Sequence, residues 1–256
     1  MTLTYNLPFG GTYAPYLIDM IQGNHVLIAG TTGAGKSVLE NSILYALLAT
    51  TYPANTVDGT QGAQLVLLDP KKVELWQYKN LPHTMLYADT IPDIKTALES
   101  IRVMIEERLN RMRKRGERKS SECPVYIFID ELVDLVTNKT HGKEIVRLFA
   151  DTASISRAAN VFYVALTQSP ARAIIPAQFK LLFNCRVALF CNNAVESRQI
   201  IDDDSATTLP EHGIAIVQQN INRYKIKIPF YSDEELNRLV RHWEKQHPII
   251  NRLRRM

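Results

Sequence analysis

Five apolar runs recur along the chain, and most are separated by stretches in which apolar residues repeat with helical periodicity. The runs are Val26–Ala29, Leu65–Leu68, Val125–Ile129, Val161–Leu166 and Arg186–Phe190. Short continuous apolar runs are typical of strands buried on both faces of a parallel sheet, and the helical stretches supply the crossover connections. The pattern therefore predicts an α/β fold with a mostly parallel central sheet and helices on both faces.

The last part of the chain has a different pattern. Residues 213–217 and the alternating residues 224–228 predict a closing hairpin or edge pair. Ser232 is followed three residues later by Glu235, which predicts a helix start with a capping box, and this helix is expected to run to about Gln246. An antiparallel edge and a final helix are therefore expected to complete the sheet.

The octapeptide after the first apolar run fits the spacing G-x-x-x-x-G-K-[ST] without a mismatch. Its residues, with the first helical residue after them, are Gly30, Thr31, Thr32, Gly33, Ala34, Gly35, Lys36, Ser37 and Val38. A strand before it and a helix after it are the context of a phosphate-binding loop, whereas an ordinary glycine-rich turn needs neither. The motif predicts that this loop binds ATP, with Lys36 at the β- and γ-phosphates and the Ser37 hydroxyl on Mg²⁺.

The third apolar run ends in two acidic residues, Asp130 and Glu131. Carboxylates at the end of a buried parallel strand lie at the edge where α/β sheets bind ligands, although many such strands simply end in an acidic helix cap. Together with the phosphate-binding loop, the pair predicts a Mg²⁺ ligand in Asp130 and a water-activating base in Glu131. The adjacent glutamate favours an ATP-hydrolysing motor over a kinase.

The composition sets the broad class of the protein. Apolar residues make up 46% of the 256 positions, which is ample for a core, and the formal net charge is +4. The three cysteines show neither metal-ligand spacing nor an even disulfide framework, and no segment has the length or apolarity of a membrane span or signal peptide. We expect one cytoplasmic domain over residues 1–256, with a short lead at about 1–20 and a basic tail at about 247–256.

Residues 102–119 hold eight Lys or Arg residues against three Asp or Glu residues. Apolar residues at helical spacing in the same stretch predict that the arginines lie mostly on a solvated helix face. Such a face either tracks nucleic-acid phosphates or simply keeps the protein soluble, and the sequence leaves both open.

Several further motifs occur in order over roughly residues 20–246, and together they resemble the motor domain of FtsK/SpoIIIE DNA translocases. They are residues 25–33, 67–75, 81–83, 129–135, 157–159, 166–170, 196–198 and 230–235, with Trp243. The resemblance implies a RecA-like P-loop NTPase of the ASCE type that assembles as a hexameric ring around double-stranded DNA. It also implies a minimal motor that hydrolyses ATP to transfer, replicate or package the DNA of a mobile element or phage, with possible recruitment to a membrane or a replication partner.

The resemblance assigns roles to two more sites. Arg157 matches the arginine that family members supply to the nucleotide of the neighbouring subunit; otherwise it caps carbonyls at a helix end or pairs with Asp151. Thr167 and Gln168 match a polar sensor of the γ-phosphate, although a buried strand can end in Thr-Gln merely to satisfy local backbone groups. These residues complete the predicted catalytic set of Lys36, Asp130, Glu131, Arg157 and Gln168.

Some positions depart from the family pattern. Ser169 stands where the family usually has Arg, and Ala194 where a Lys is common. Lys180 keeps the family's lysine and Arg172 adds a nearby charge, so these two are the candidate DNA contacts. The lost charges also motivate an alternative, a related ATPase that handles polypeptide in secretion or assembly, while the intact loop argues against a degenerate scaffold subunit.

Overall fold

The computed structural model describes residues 5–6, 12–51, 62–168 and 180–246. The basic tail, Arg172 and Ser169 lie outside these ranges, so the predictions on them are not addressed by the structure.

The described elements alternate between strands and helices for most of the chain. The strands are β1 (Tyr5–Asn6), β2 (Thr12–Tyr13), β3 (Val26–Ala29), β4 (Gln64–Leu68), β5 (Thr84–Ala88), β6 (Val125–Ile129), β7 (Val161–Thr167), β8 (Cys185–Ala188), β9 (Ile214–Gln219) and β10 (Asn222–Lys227). The helices are α1 (Tyr16–Ile21), α2 (Lys36–Thr50), α3 (Ile91–Arg115), α4 (Leu132–Val136), α5 (Gly142–Ser156), α6 (Ala194–Ile201) and α7 (Asp233–Gln246), with 3-10 turns at Trp76–Tyr78 and Ser205–Thr208.

Eight of these strands form one sheet in the order β10-β9-β8-β3-β7-β6-β4-β5, and β1 pairs with β2 separately. The six strands from β8 to β5 are parallel to one another, whereas β9 is antiparallel to both β8 and β10. This arrangement confirms the mostly parallel sheet. Strand β5 was not among the predicted runs.

The two faces of the sheet carry separate apolar cores. Along β6, Tyr126 and Phe128 join the core under α1, α2 and α7, while Val125, Ile127 and Ile129 join the core under α3, α4 and α5. Successive side chains of a strand point to opposite faces, so a strand with helices on both sides must be apolar at every position. Helices on both faces are thus confirmed. They explain why the inner strands are continuous apolar runs, since both faces of each strand are buried.

Arg108 is the exception to the solvated face that was expected for most arginines of the basic stretch. Helix α3 does carry most of its arginines outward, but Arg108 is only 4% exposed. Its guanidinium donates hydrogen bonds to the carbonyl oxygens of Cys123 and Ala159, at 2.9 and 3.0 Å. Those carbonyls lie just before β6 and β7, so Arg108 fixes α3 to the amino ends of two central strands.

The final helix has the predicted capping box. The Glu235 carboxylate accepts from the Ser232 backbone nitrogen at 2.8 Å, and the Ser232 hydroxyl accepts from the Glu235 nitrogen at 3.3 Å. Further along α7, the Trp243 indole donates to the Leu48 carbonyl oxygen of α2. Within the ranges that the structure describes, no helix has the length and apolarity needed to cross a bilayer.

Candidate nucleotide-binding site

The predicted site residues follow three neighbouring parallel strands. The phosphate-binding loop comes directly after β3, Gln168 comes after β7, and the acidic pair comes after β6. Since β7 lies between β3 and β6, all three segments emerge at one edge of the sheet. This edge holds the carboxyl ends of the parallel strands, which is where open α/β sheets bind their ligands.

Glycines give the loop its path. Gly33 and Gly35 have φ angles of 81° and 96°, a left-handed conformation that side chains disfavour. At Gly30 the reason is space, because an added Cβ would lie 2.8 Å from the Leu189 Cβ. The Thr31 nitrogen donates to the Phe190 carbonyl oxygen at 2.9 Å, which ties the start of the loop to the end of β8.

Lys36 begins α2 and turns back over the loop. Its ammonium donates to the carbonyl oxygens of Gly30 and Thr31, at 2.8 and 2.9 Å. Burial lowers the pKa of Lys36, and the nearby carboxylates of Glu131 and Asp130 act in the opposite direction. The amino end of the helix and a buried cation therefore lie beside the acidic pair, an arrangement suited to anionic phosphates.

Asp130 has the character of a metal ligand. Its side chain is buried, and Oδ2 has no hydrogen-bond partner within the described part of the chain. Burial raises the pKa of Asp130 to about 6, opposed by Lys71 and reinforced by Asp69, Glu74 and Glu131. A carboxylate oxygen without a donor fits a divalent cation, which would stabilise the charged form. Asp130 and the Ser37 hydroxyl would hold Mg²⁺, whose chemistry would be to neutralise charge on the β- and γ-phosphates.

Glu131 is held by three donors. Oε1 accepts from the Thr167 hydroxyl at 3.2 Å and from the Gln168 backbone nitrogen at 3.0 Å, and Oε2 accepts from the Lys71 ammonium at 2.9 Å. The residue is buried and has φ 70° and ψ 80°, a conformation that costs free energy for a residue with a side chain. Its backbone conformation and its donors together fix the carboxylate in the crevice.

Lys71 is a site residue to which the sequence assigned no role. It follows β4 in a loop that Asp69 organises, because the Asp69 carboxylate accepts from the nitrogens of Val73 and Leu75 at 3.3 and 3.1 Å. The preceding strand β4 is the direct neighbour of β6, so this loop emerges beside Glu131. Segment 67–75, which contains Lys71, resembles the family pattern, but the sequence did not predict the contact between Lys71 and Glu131.

Glu40 is a second acidic residue that sequence reasoning missed. It lies on α2, is fully buried, and neither carboxyl oxygen has a hydrogen-bond partner among the described residues. Burial raises the pKa of Glu40 well above its ordinary value, and the charges of Asp130, Glu74 and Asp69 add to this effect. Burial therefore favours the neutral form of this carboxyl.

Arg157 does not join this site in the same chain. It follows α5 and precedes β7, so it lies at the amino end of the strand whose carboxyl end carries Gln168. Seven residues of β7 at about 3.3 Å each separate the two ends by about 20 Å. Asp151, the alternative partner, pairs with Arg147 instead, and Arg157 is exposed and forms no ion pair with any residue that the structure describes.

Lys180, the candidate DNA contact within the described ranges, is engaged elsewhere. Its ammonium lies 2.6 Å from Asp202, which also pairs with Arg186 at 2.8 Å. Asp204 pairs with Arg198 at 3.2 Å in the same cluster. These carboxylates neutralise cations that the sequence alone would leave available to a nucleic acid.

Comparison with known proteins supports the resemblance that the motifs indicated. The model of the FtsK/SpoIIIE family matches residues 1–123. The DNA translocase SftA of Bacillus subtilis (strain 168) is 30% identical over 97% of this chain, which corresponds to 27% of SftA. The resemblance is thereby confirmed, and the chain spans about a third of the length of the curated relatives it matches.

Solved structures confirm the fold. The conjugation coupling protein TcpA of pCW3, in its monomer form with ATPγS, has a TM-score of 0.73 at 21% identity and covers 94% of this chain and 70% of TcpA. The cytoplasmic domain of the type VII secretion ATPase EccC of Thermomonospora curvata has a TM-score of 0.71 at 18% identity, over 94% of this chain and 30% of that structure. The chain therefore has the RecA-like fold of P-loop NTPases.

Proposed function

We propose that this chain, an FtsK/SpoIIIE-type P-loop domain, is the ATP-hydrolysing part of a motor that translocates double-stranded DNA. The observation that carries the proposal is the meeting of Lys36, Asp130, Glu131 and Gln168 at one edge of the sheet. Each of these residues has a chemical task in transferring a phosphoryl group to water. The relatives named DNA translocases support DNA as the cargo, and the family resemblance implies that the DNA is double-stranded.

The proposed chemistry divides between two groups of residues. The loop at 30–37 and Lys36 bind the phosphates, since backbone N–H groups and an ammonium stabilise their charge. Glu131 takes a proton from the attacking water, and Gln168 senses the γ-phosphate from the end of β7. The Ser37 hydroxyl and the Asp130 carboxylate would hold Mg²⁺, which would neutralise charge on the phosphates.

Arg157 motivates the proposal that the working form is a ring, hexameric as the family resemblance implies. The arginine is exposed and lies at the opposite end of β7 from the site in its own chain. A neighbouring subunit that packs the amino end of its β7 against the nucleotide site brings its Arg157 guanidinium to the nucleotide. There the guanidinium stabilises charge in the transition state. Each nucleotide is then bound between two copies of the chain.

Phosphate contacts without base readout are the proposed grip on DNA, with Arg172 and Lys180 as candidate residues. Since Lys180 is paired with Asp202, it contributes only if that ion pair opens when DNA binds. We propose that the motor serves transfer, replication or packaging of a mobile element or phage, as a single domain that acts in the cytoplasm or with a membrane or replication partner.

The experiment that tests the proposal is steady-state ATP hydrolysis with and without linear duplex DNA, with Glu131→Gln as the control. A stimulation by DNA that disappears in the control supports a DNA-coupled motor. A basal rate that no DNA changes counts against it.

A second candidate function is the handling of polypeptide. The neutralised Lys180 favours it, together with Ser169 and Ala194 in place of the family's basic residues. EccC, a secretion ATPase, has the same fold. Binding to duplex DNA across a salt series separates the two functions, because phosphate contacts lose affinity steeply with salt whereas a polypeptide motor shows no binding even at low salt.

A further inference from the structure

The ion pair between Lys71 and Glu131 suggests how the resting site avoids idle hydrolysis. We propose that Lys71 is a latch that restrains the Glu131 carboxylate in a subunit that holds ATP, until DNA binding to the motor opens the ion pair. The inference rests on the proposed function, because it concerns the base of that same reaction.

The geometry defines what the latch does. A carboxylate has about four lone-pair positions, and three donors occupy positions on Glu131. Two of them, from Thr167 and Gln168, are on Oε1 and lie at the carboxyl end of β7. Lys71 is the donor on Oε2 and the only one of the three that carries a full charge, so it restrains the oxygen that remains for water.

Lys71 is placed to leave Glu131 for solvent. Its side chain is 30% exposed, against 6% for Glu131, so the lysine is the partner with access to solvent. The ion pair can therefore open without moving the buried carboxylate, because the two donors on Oε1 of Glu131 remain in place.

The ion pair also changes the lysine. Burial by itself lowers the pKa of Lys71, but the hydrogen bond and charge of Glu131, with the charges of Asp130 and Asp134, raise it overall. Lys71 is therefore charged at neutral pH and cannot act as a second base. Its remaining role toward Glu131 is electrostatic restraint.

The neighbouring Lys72 provides a matched control. It lies in the same loop, but its side chain is 56% exposed and pairs with Asp89 at 3.6 Å, away from Glu131. Lys71→Met and Lys72→Met remove the same charge and retain a similar apolar stem, so they differ in the contact with the catalytic carboxylate. Lys71→Arg keeps a cation that can restrain Glu131.

The test measures ATP hydrolysis without DNA at saturating ATP, together with the affinity for a fluorescent ATP analogue and thermal unfolding to verify folding. For Lys71→Met we expect basal kcat to rise about three- to tenfold with little change in KM, and the stimulation by DNA to shrink accordingly. Lys72→Met and Lys71→Arg are expected to remain near the wild-type rate.

An unchanged or lower basal kcat in folded Lys71→Met that still binds the analogue overturns the latch. The two proposals fail separately. If DNA does not stimulate the wild-type protein, the DNA motor fails, while the comparison of basal rates still decides the role of Lys71. If the wild-type protein hydrolyses no ATP at all, a gain of activity in Lys71→Met supports the latch and continued inactivity contradicts it.

Discussion

The Thr32 hydroxyl donates a hydrogen bond to the side-chain oxygen of Gln168 at 3.0 Å, which joins the phosphate-binding loop to the end of β7. The backbone nitrogen of the same Gln168 holds Glu131. One residue therefore contacts both halves of the site, the half that binds phosphate and the half that activates water.

Replacing Gln168 is expected to uncouple these halves. In Gln168→Ala, the backbone contact to Glu131 remains while the amide is lost, so kcat should fall at least about tenfold with a smaller change in KM, as for an interaction made chiefly in the transition state. Thr32→Val removes the link but keeps the amide and should have a smaller effect. Both variants are measured by steady-state kinetics. An equal fall of kcat in both would mean that the hydrogen bond between Thr32 and Gln168, and not the Gln168 amide by itself, supports turnover.

Glu131→Gln is expected to bind ATP normally and to lose turnover by about 10²-fold or more, because the amide keeps the shape of the side chain but accepts no proton. The measurement pairs analogue binding with single-turnover hydrolysis. Lys36→Ala is the contrasting variant and should lose binding as well. Normal hydrolysis by Glu131→Gln means that another group activates the water.

Arg157→Ala is expected to lose turnover alone but to recover part of it when mixed with Lys36→Ala. In a mixed ring, some interfaces combine an intact Lys36 from one subunit with an intact Arg157 from the next, because the two residues lie at opposite ends of the sheet. The measurement is ATP hydrolysis across mixing ratios. Strict additivity of two inactive proteins indicates a structural role for Arg157 or tightly coupled turnover around the ring.

His25 predicts a loss of stability in acid. It is buried, its Nδ1 accepts from the Tyr163 nitrogen at 3.0 Å, and burial lowers its pKa to about 4, with a smaller contribution from Arg157. Because the folded state favours the neutral ring, its stabilisation is complete above the unfolded pKa of about 6.5 and declines as pH falls toward 4, by about 3 kcal/mol.

Urea unfolding of the wild type and His25→Asn at several pH values tests this assignment. The variant should be less stable at pH 7, with a gap that narrows toward pH 4. His212→Asn, at an exposed position, is the control that should leave the profile unchanged. A constant gap across the range contradicts the role of His25.

Glu40→Met is expected to stabilise the fold by about 1–3 kcal/mol, since an apolar chain of similar size replaces a buried carboxyl that has no hydrogen-bond partner among the described residues. The pKa of Glu40 is raised in the folded state, so the stability that the neutral carboxyl retains at low pH is lost as pH increases above the unfolded value near 4.5. The gain should therefore be larger at pH 8 than at pH 5. Unfolding of the variant at lower denaturant than wild type at pH 8 rules out this account.

The sequence predicted those parts of the molecule that follow from local pattern. The loop at 30–37 and the strand before Asp130 were found because few local structures are compatible with that glycine spacing or with five consecutive apolar residues. Strand β5 was missed because only Ala88 of its five residues is buried, as befits the outermost parallel strand. Its sequence therefore lacks the signal that identified the inner strands.

Contacts between residues that are distant in the sequence could not be predicted from it. Lys71 and Glu131 are 60 residues apart, and only the adjacency of β4 and β6 brings them together. The apolar spacing along α3 predicted that its arginines lie mostly on a solvated face, but the burial of Arg108 depends on carbonyl oxygens that directly precede two other strands. A charged residue can be placed by helical periodicity, but its burial depends on which carbonyls the tertiary structure presents to it.

Strand β10 is the outermost antiparallel strand of the sheet, and its composition affects how copies of the chain can associate. Arg223, Lys225 and Lys227 alternate along it, and all three are exposed. Charged side chains on an edge strand oppose pairing with a second sheet, because like charges would be brought face to face. Copies of this chain at high concentration are thus protected from growing into continuous β-structure at this edge, which leaves the other surfaces to determine how they assemble.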